Sequence, residues 1–241
     1  MKNWKAYEII WLATFSGIAA VLAVMSNESV LGFSVFIAGV LCVVLAAKGN
    51  IWTYGFGMYN TFSYAYLSYT NGLFGETGLN LLFFAPMNIV GYFMWRRHMV
   101  DKMVEMRKVK SATAVLMLAG CVASTMAMGW LLALIPGQNT PYVDATTNVL
   151  SIVATFLMVS RYREQWIMYI VLNVFTIIMW SIRLMNGSPD GLMMVVMWSA
   201  YFVNSIYGYL TWSAGAAANA ETAALETAAA NAAASTAVPT K

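Results

Sequence analysis

Apolar residues in this chain fall into blocks of about 20 residues, which is the length that crosses a bilayer as an α-helix. Short polar segments separate the blocks. A helix satisfies all of its own backbone hydrogen bonds, so each block can lie in hydrocarbon. The blocks are Tyr7–Met25, Val30–Ala47, Ile51–Tyr69, Gly78–Trp95, Ala112–Ile135, Val143–Ser160, Gln165–Leu184 and Gly191–Trp212. The pattern predicts an all-α polytopic membrane protein with eight transmembrane helices.

Two parts of the chain repeat one another. The matched positions are Lys48–Trp52, Asn60, Phe62, Ser63, Asn71-Gly72 and Gly91–Trp95 in the first copy, and Arg161, Trp166, Asn173, Phe175, Thr176, Asn186-Gly187 and Gly208–Trp212 in the second. The offset grows from 113 residues at Asn60/Asn173 to 117 at Gly91/Gly208, so short insertions separate the copies. Each copy can hold three helices. Internal repeats are a common plan of transporters, with the substrate between the copies.

The distribution of Lys and Arg predicts the topology, because these residues accumulate on the cytoplasmic side. They precede the first helix and follow the second, fourth and sixth: Lys2, Lys5, Lys48, Arg96, Arg97, Lys102, Arg107, Lys108, Lys110, Arg161 and Arg163. The alternate loops contain neither residue type: Ser26–Ser29, Thr70–Thr77, Pro136–Tyr142 and Asn186–Asp190. Arg183, near the outer end of the seventh helix, is the exception. Both termini are therefore expected in the cytoplasm.

With this topology the two copies run in the same direction, related by an axis along the membrane normal. The plan is one extra N-terminal helix followed by a 3+1+3 core, as in SWEET-type transporters. The expected segments are an N-terminal transmembrane helix (1–29), a first repeat (30–95), a cytoplasmic basic loop and linker helix (96–142), a second repeat (143–212) and a disordered Ala-rich tail (213–241). The basic loop is expected to extend as a helix along anionic membrane lipid. It holds too few cations for nucleic-acid binding.

Composition excludes several classes of protein. Charged residues are 10% of the chain and hydrophobic residues 61%, whereas a soluble domain carries about 25% charge. Cys42 and Cys121 have no spaced partners, and His98 lies in the basic loop, so no metal, disulfide or cofactor is expected. The sequence contains no His-Glu-x-x-His or Gly-x-Ser-x-Gly motif and no paired intramembrane aspartates, so an enzyme is not expected.

Polar residues within the apolar blocks are the candidates for a substrate site, because a polar side chain in hydrocarbon needs a partner or a cavity. Asn173, Thr176 and Trp180 illustrate the pattern, since their spacing places them on one helix face. The predicted substrate-binding residues are Asn60, Asn88, Asn173, Thr176, Trp180, Trp198, Tyr201 and Asn204. Asparagines could instead make interhelical hydrogen bonds, and aromatic residues could pack or anchor.

Three further residues have both a functional and a structural interpretation. Pro86 should disturb the fourth helix near mid-depth and leave a carbonyl unpaired, which makes it a hinge or a static kink. Trp95 and Trp212 lie at the cytoplasmic helix ends and are interpreted as interfacial or packing residues.

The chemistry of these helices favours a flat cationic or neutral ring as substrate, through stacking and cation–π attraction. Ionised groups at mid-depth are few, so an anion has no buried cation to bind. An Asp, Glu or His relay for protons is likewise not evident. Facilitated diffusion is therefore the simplest mechanism.

Three segments resemble the PnuC family of bacterial vitamin transporters: Asn71-Gly72 with Gly75-Glu76, the run Pro86–Arg96, and Trp198-x-x-Tyr201-x-x-Asn204-x-x-Tyr207-Gly208-Tyr209. The resemblance extends from about Met1 to Trp212. It implies a SWEET-like fold, a homotrimer and import of nicotinamide riboside across the inner membrane, with trapping by cytoplasmic phosphorylation.

Members of that family also carry thiamine or riboflavin, and both alternatives stay open. A mononucleotide is physically less favourable, because the helices offer its phosphate no cation. A receptor or assembly subunit without transport activity is the alternative from another class, since a fold does not by itself establish flux.

Overall fold

The computed structural model of this protein describes residues 6–25, 30–70, 74–100, 102–134, 141–187 and 191–236. The four predicted outer loops fall wholly or partly outside these residues, as do Lys2 and Lys5. Arg183 lies in a described helix, but its side chain is outside the described part.

The described chain is mostly helical. Its helices are α1 (Ala6–Met25), α2 (Val30–Ala47), α3 (Trp52–Thr70), α4 (Phe74–Leu79), a π-helical turn (Asn80–Phe84), α5 (Ala85–Arg96), α6 (Ser111–Ala133), α7 (Pro141–Val159), α8 (Gln165–Met185) and α9 (Gly191–Thr236). Two short antiparallel strands, β1 (Met99–Val100) and β2 (Met103–Val104), form a hairpin. Among the described residues, four segments are long and apolar enough to cross a membrane by length and composition: Thr77–Arg96, Ser111–Ala133, Pro141–Val159 and Gln165–Ile182.

Helix contacts follow the repeat. Helix α2 packs against α3 and α9, while α7 packs against α8 and α5. The first helix of each copy therefore touches the last helix of the other copy. Helix α6 packs against α7, and α1 packs against α2 with a smaller contact to α9. The core at one end of this bundle joins both copies.

The predicted fourth helix is interrupted where Pro86 disturbs it. Helix α5 begins at Ala85, directly after the π-helical turn, and the Ala85 N–H bonds the Asn80 carbonyl. Proline has no N–H and its ring crowds the carbonyl four residues earlier. A wider turn accommodates both effects, and such turns recur at functional sites. The predicted local disturbance is confirmed, whereas movement about it stays a prediction.

The structure corrects the boundary of the predicted disordered tail. Helix α9 continues without a break past residue 213 and ends at Thr236. Alanine is the strongest helix former, and here the helix is already nucleated by its apolar first half. Tertiary contacts also fix the extension: Ala216 is buried, and the Asn219 amide donates to the Met106 carbonyl at 3.0 Å.

The basic loop is the second correction. Residues after α5 form the β1–β2 hairpin instead of the expected helical extension, with Lys102 at a left-handed φ of 69°. Backbone groups of the hairpin and of the residues that follow it find partners in both copies. Val104 N–H bonds the Gly49 carbonyl at 2.9 Å, and Arg107 N–H bonds the Arg161 carbonyl at 2.8 Å. A helix would have paired these groups within itself, so the extended form is what ties the copies together.

Candidate functional site

The turns that follow α2 and α7 have the same geometry. Gly49 and Arg161 both adopt a left-handed φ, 65° and 67° respectively. Their N–H groups bond the carbonyls of Ala46 and Met158, at 2.9 and 3.0 Å. A left-handed non-glycine residue is strained by about 1–2 kcal/mol. The Arg161 guanidinium makes an ion pair with Glu105 at 2.6 Å. These turns mark what we call the cationic end of the bundle, where Lys48, Arg96, Arg107, Arg161 and Arg163 lie.

Two tryptophans join the copies reciprocally at this end. The Trp95 indole N–H donates to the Met158 carbonyl at 2.9 Å, and the Trp212 indole N–H donates to the Ala46 carbonyl at 3.0 Å. Both side chains are fully buried, and their rings lie 5.6 Å apart. Of the two predicted interpretations, packing rather than an interfacial position is therefore confirmed.

A matched pair of glycines makes room for the neighbouring rings. A Cβ atom on Gly91 would lie 2.3 Å from the Tyr54 ring, and one on Gly208 would lie 2.5 Å from the Trp166 ring. Only glycine lets these rings approach the helix backbone so closely. Tyr54, Trp95, Trp166 and Trp212 belong to one buried cluster, which we call the aromatic cluster. The repeated Gly-x-x-x-Trp pattern of the sequence thus builds the contact between the copies.

Further from the cationic end, three predicted site residues converge beside α2. A Cβ atom on Gly39 would lie 2.8 Å from the Tyr201 hydroxyl and 3.1 Å from Asn60 Nδ2. Asn60 donates to the Val35 carbonyl at 2.9 Å, and its Oδ1 accepts no hydrogen bond from a described residue. The Trp198 ring lies 5.6 Å from that of Tyr201, edge to face. An asparagine amide and a tyrosine hydroxyl thus lie together, and the Trp198 ring packs against that tyrosine.

Asn173, Thr176 and Asn204 are buried and their donors are already occupied. Asn173 donates to Ser205 Oγ at 3.0 Å across α8 and α9, while Asn204 donates to the Val43 carbonyl at 3.0 Å. The Thr176 hydroxyl donates to a carbonyl of its own helix at 2.9 Å. Asn173 and Asn204 thus hold α9 between α2 and α8, which is the interhelical alternative that the sequence left open. Trp180 is half-buried on the same helix as Asn173.

Asn88 lies elsewhere. Its amide donates to Thr61 Oγ1 at 3.2 Å and to the Phe84 carbonyl at 3.0 Å. Successive residues of a helix point about 100° apart, so Thr61 and Asn60 leave α3 in different directions. Asn88 lines an open groove of about 430 Å³ between α3 and α5, together with Trp52 and Phe93. The hydrogen-bond partners of Asn88 are thus Thr61 and Phe84, and none of the residues beside Gly39 is among them.

Sequence reasoning missed a buried carboxylate. Glu8 in α1 accepts hydrogen bonds from Lys48 Nζ and from the Tyr207 hydroxyl, each at 2.5 Å. Its side chain is almost fully buried. The ion pair fastens the extra helix α1 to the cationic end of the core. The available signal was a single acid inside the first apolar block and a single cation directly after the second.

The described residues were also compared with the side-chain groupings that bind metal ions. Within the ranges that the structure covers, no three His, Cys, Asp or Glu side chains lie together as metal ligands.

Comparison over most of the length of the chain identifies its family. The family model described as "Nicotinamide mononucleotide transporter" matches residues 29–214. The chain belongs to this family. The matched span begins just before α2 and ends just after Trp212, so it covers both copies and the helix between them.

Individual relatives agree with the family match. "Nicotinamide riboside transporter PnuC" of Neisseria mucosa is 39% identical over 218 residues, which cover 88% of this chain and 82% of the relative. The protein of the same name in Haemophilus influenzae is 33% identical, covering 88% of this chain and 92% of the relative. A solved structure titled "Crystal structure of the Vitamin B3 transporter PnuC" matches with a TM-score of 0.77 and 36% identity, covering 91% of this chain and 95% of that one.

These similarities confirm the predicted resemblance to the PnuC family and its membrane-transporter fold. The family and these relatives are transporters rather than enzymes. The chain is a multi-pass membrane protein.

Proposed function

We propose that this protein imports nicotinamide riboside across the inner membrane of a bacterium. The observation that carries the proposal is 39% identity, over most of both chains, to a protein named as a nicotinamide riboside transporter. The geometry beside Gly39 is compatible with this cargo. A flat pyridinium ring stacks on Trp198, and ribose hydroxyls donate to Asn60 Oδ1 and exchange hydrogen bonds with the Tyr201 hydroxyl.

The proposed architecture has eight transmembrane helices, with α1 outside a SWEET-like 3+1+3 core of parallel repeats. The reciprocal bonds of Trp95 and Trp212, and the matched turns at Gly49 and Arg161, support a two-fold relation between the copies. In this arrangement the cationic end faces the cytoplasm. Both termini lie on that side, and substrate passes between the copies.

The predicted site residues have different roles within this proposal. Asn60, Trp198 and Tyr201 contact the substrate. Trp180 and Thr176 continue the site along α8. Asn173 and Asn204 border the site and hold α9 in place through their hydrogen bonds.

Two residues on the α4–α5 side complete the predicted set. Asn88 acts from the groove behind α3, where it fixes α5 against Thr61. Pro86 and the π-helical turn form the hinge about which α5 moves when the site changes its accessibility.

Transport in this proposal is facilitated diffusion, followed by phosphorylation of the product in the cytoplasm. The buried Glu8 is already engaged by Lys48 and Tyr207 at the cationic end, so it is not free to couple protons at mid-depth. The protein acts as a homotrimer in contact with membrane lipid and needs no cofactor.

Thiamine and riboflavin transport are the alternatives within the family, and a non-transporting receptor is the alternative outside it. Reconstitution in liposomes distinguishes them. We expect radiolabelled nicotinamide riboside to enter vesicles down its own gradient, at the same rate with and without proton or sodium gradients. Uptake that requires an ion gradient would contradict facilitated diffusion, and binding without uptake would favour the receptor.

A further inference from the structure

Buried polar groups without partners gather at the cationic end. Gln165, the first residue of α8, is fully buried, and neither atom of its amide makes a hydrogen bond. The Trp166 indole N–H and the Tyr54 hydroxyl are also unpaired, and both residues belong to the aromatic cluster. A buried amide without partners costs free energy, and native proteins retain few of them. The unpaired Gln165 amide beside the aromatic cluster therefore indicates that its hydrogen-bond partner is a ligand and not another residue of the protein.

Gln165 lies on the same face of α8 as the predicted site residues. At 100° per residue, Gln165 and Thr176 lie within about 20° of each other around the helix axis, and Asn173 lies within about 80°. A rise of 1.5 Å per residue places Gln165 about 12 Å below Asn173, toward the cationic end. This side of α8 therefore carries polar residues both at the proposed substrate site and, at Gln165, beside the aromatic cluster.

The repeat provides an internal reference for this position. Thr53 corresponds to Gln165 by the offset of 112 residues that relates Gly49 to Arg161 and Ala46 to Met158. Thr53 is also fully buried, but its hydroxyl donates to the Cys42 carbonyl at 2.9 Å. Burial at this position is therefore compatible with a satisfied side chain. The unpaired amide is a property of Gln165 and not of the fold at this point.

We propose that Gln165 is a second substrate contact, at the inner end of the pathway. Its amide donates to and accepts from the hydroxyl and carboxamide groups of a flat glycosylated ring as that solute leaves the site beside Gly39. Trp166 supplies an adjacent aromatic face and an indole N–H. In the described conformation Trp95 and Trp212 pack the cationic end closed, and the contact forms when these rings separate. The inference rests on the proposed function, because it concerns the exit of the same substrate.

The test compares Gln165→Met with Thr53→Val. Methionine matches glutamine in length and shape but cannot hydrogen-bond, and valine matches threonine in the same way. Purified proteins are compared by calorimetry with nicotinamide riboside, by thermal unfolding, and by exchange of labelled nicotinamide riboside across vesicles. We expect Gln165→Met to bind with unchanged affinity, to unfold at the same or a higher temperature, and to exchange at least tenfold more slowly. Thr53→Val should exchange at the rate of the unaltered protein.

Exchange by Gln165→Met at the unaltered rate overturns the proposal, as does equal slowing by both variants, which would indicate a packing effect. Gln165→Asn is the second variant if Gln165→Met does not fold. Its shorter amide should give an intermediate exchange rate, and a normal rate would again overturn the inner contact. If the unaltered protein neither binds nor exchanges nicotinamide riboside, the proposed function itself fails. Normal exchange by the unaltered protein and by Gln165→Met removes the inner contact alone.

Discussion

Buried polar side chains have hydrogen-bond partners in one region of this protein and lack them in another. At mid-depth, Asn173 and Asn204 donate to neighbouring helices and stabilise their packing. At the cationic end, Gln165 and the Trp166 indole remain unpaired although they are equally buried. A polar group that is buried away from water must find its hydrogen-bond partner in the protein or in a ligand. The contrast therefore separates groups that hold the helices together from groups that we propose bind a ligand.

The aromatic residues of the two regions also differ in how they are packed. The aromatic cluster is joined by indole hydrogen bonds across the copies and by close approach to two glycines. Trp198 and Tyr201 are only half-buried, and the Tyr201 hydroxyl lies beside Gly39 of α2. Trp95 and Trp212 at the cationic end therefore hold the copies together, whereas Trp198, near the start of α9, is the tryptophan that we propose binds the substrate.

The largest expected effect comes from filling the space at Gly208. In Gly208→Val, new carbon atoms would overlap the Trp166 ring, so we expect a loss of about 3 kcal/mol in unfolding free energy and little protein in the membrane. Gly120→Val is the matched control, because a Cβ atom on Gly120 meets nothing within 4 Å. Thermal unfolding and membrane yield measure both. Equal behaviour of the two variants would contradict the packing role of the aromatic cluster.

Removal of the Trp198 ring should weaken substrate binding without unfolding the protein. Stacking on an aromatic side chain contributes about 1–3 kcal/mol, so Trp198→Ala should weaken nicotinamide riboside binding about 10- to 100-fold. The control is Trp52→Ala, which removes a 68% exposed ring from the groove behind α3. Calorimetry distinguishes the two positions. A larger loss of affinity in Trp52→Ala would move the substrate from Gly39 to that groove.

The two sides of α3 can be compared directly. Asn60→Leu removes a group that faces Tyr201, and Asn88→Leu removes one that faces Thr61. We expect Asn60→Leu to lower affinity about tenfold, as for a hydrogen bond worth about 1.4 kcal/mol. Asn88→Leu should lower the unfolding temperature with affinity within twofold of the unaltered protein. The reverse assignment of effects would show that the groove, and not the site beside Gly39, binds the substrate.

The smallest expected effect concerns the extension of α9. In Asn219→Ala, the Met106 carbonyl loses its side-chain donor, which should cost about 1 kcal/mol of unfolding free energy. Asn231→Ala on the same helix is the control, because Asn231 is exposed. Chemical unfolding followed by circular dichroism measures both. No difference between these variants would show that the extension does not stabilise the cationic end.

The apolar blocks of the sequence were sufficient to predict a mostly helical membrane protein, because the length of such a block is set by the bilayer; the count of eight transmembrane helices stays a prediction. The sequence pattern also identified the positions of Gly91, Trp95, Gly208 and Trp212, since the repeat preserves them. It was wrong about the tail from residue 213, where alanine propensity and the contact of Asn219 with Met106 extend α9. Composition alone contains no information on such contacts between distant segments.

The site was predictable only in part. The spacing of polar residues predicts which residues share a helix face, but it does not predict which helix that face contacts. Asn88 was therefore grouped with Asn60, although Asn60 donates to a carbonyl of α2 and Asn88 donates to Thr61 of α3. The ion pair of Glu8 with Lys48 joins residues 40 apart, and no local pattern specifies it. Gln165 is only the first residue of an apolar block in the sequence, because its burial and unpaired amide depend on the packing of distant segments.

The most direct test of the central proposal is calorimetry of the purified protein with nicotinamide riboside, thiamine, riboflavin and nicotinamide mononucleotide in parallel. The account predicts saturable binding of nicotinamide riboside and at least tenfold weaker binding of the other three. Preferential binding of thiamine or riboflavin, or no binding of nicotinamide riboside, would contradict it.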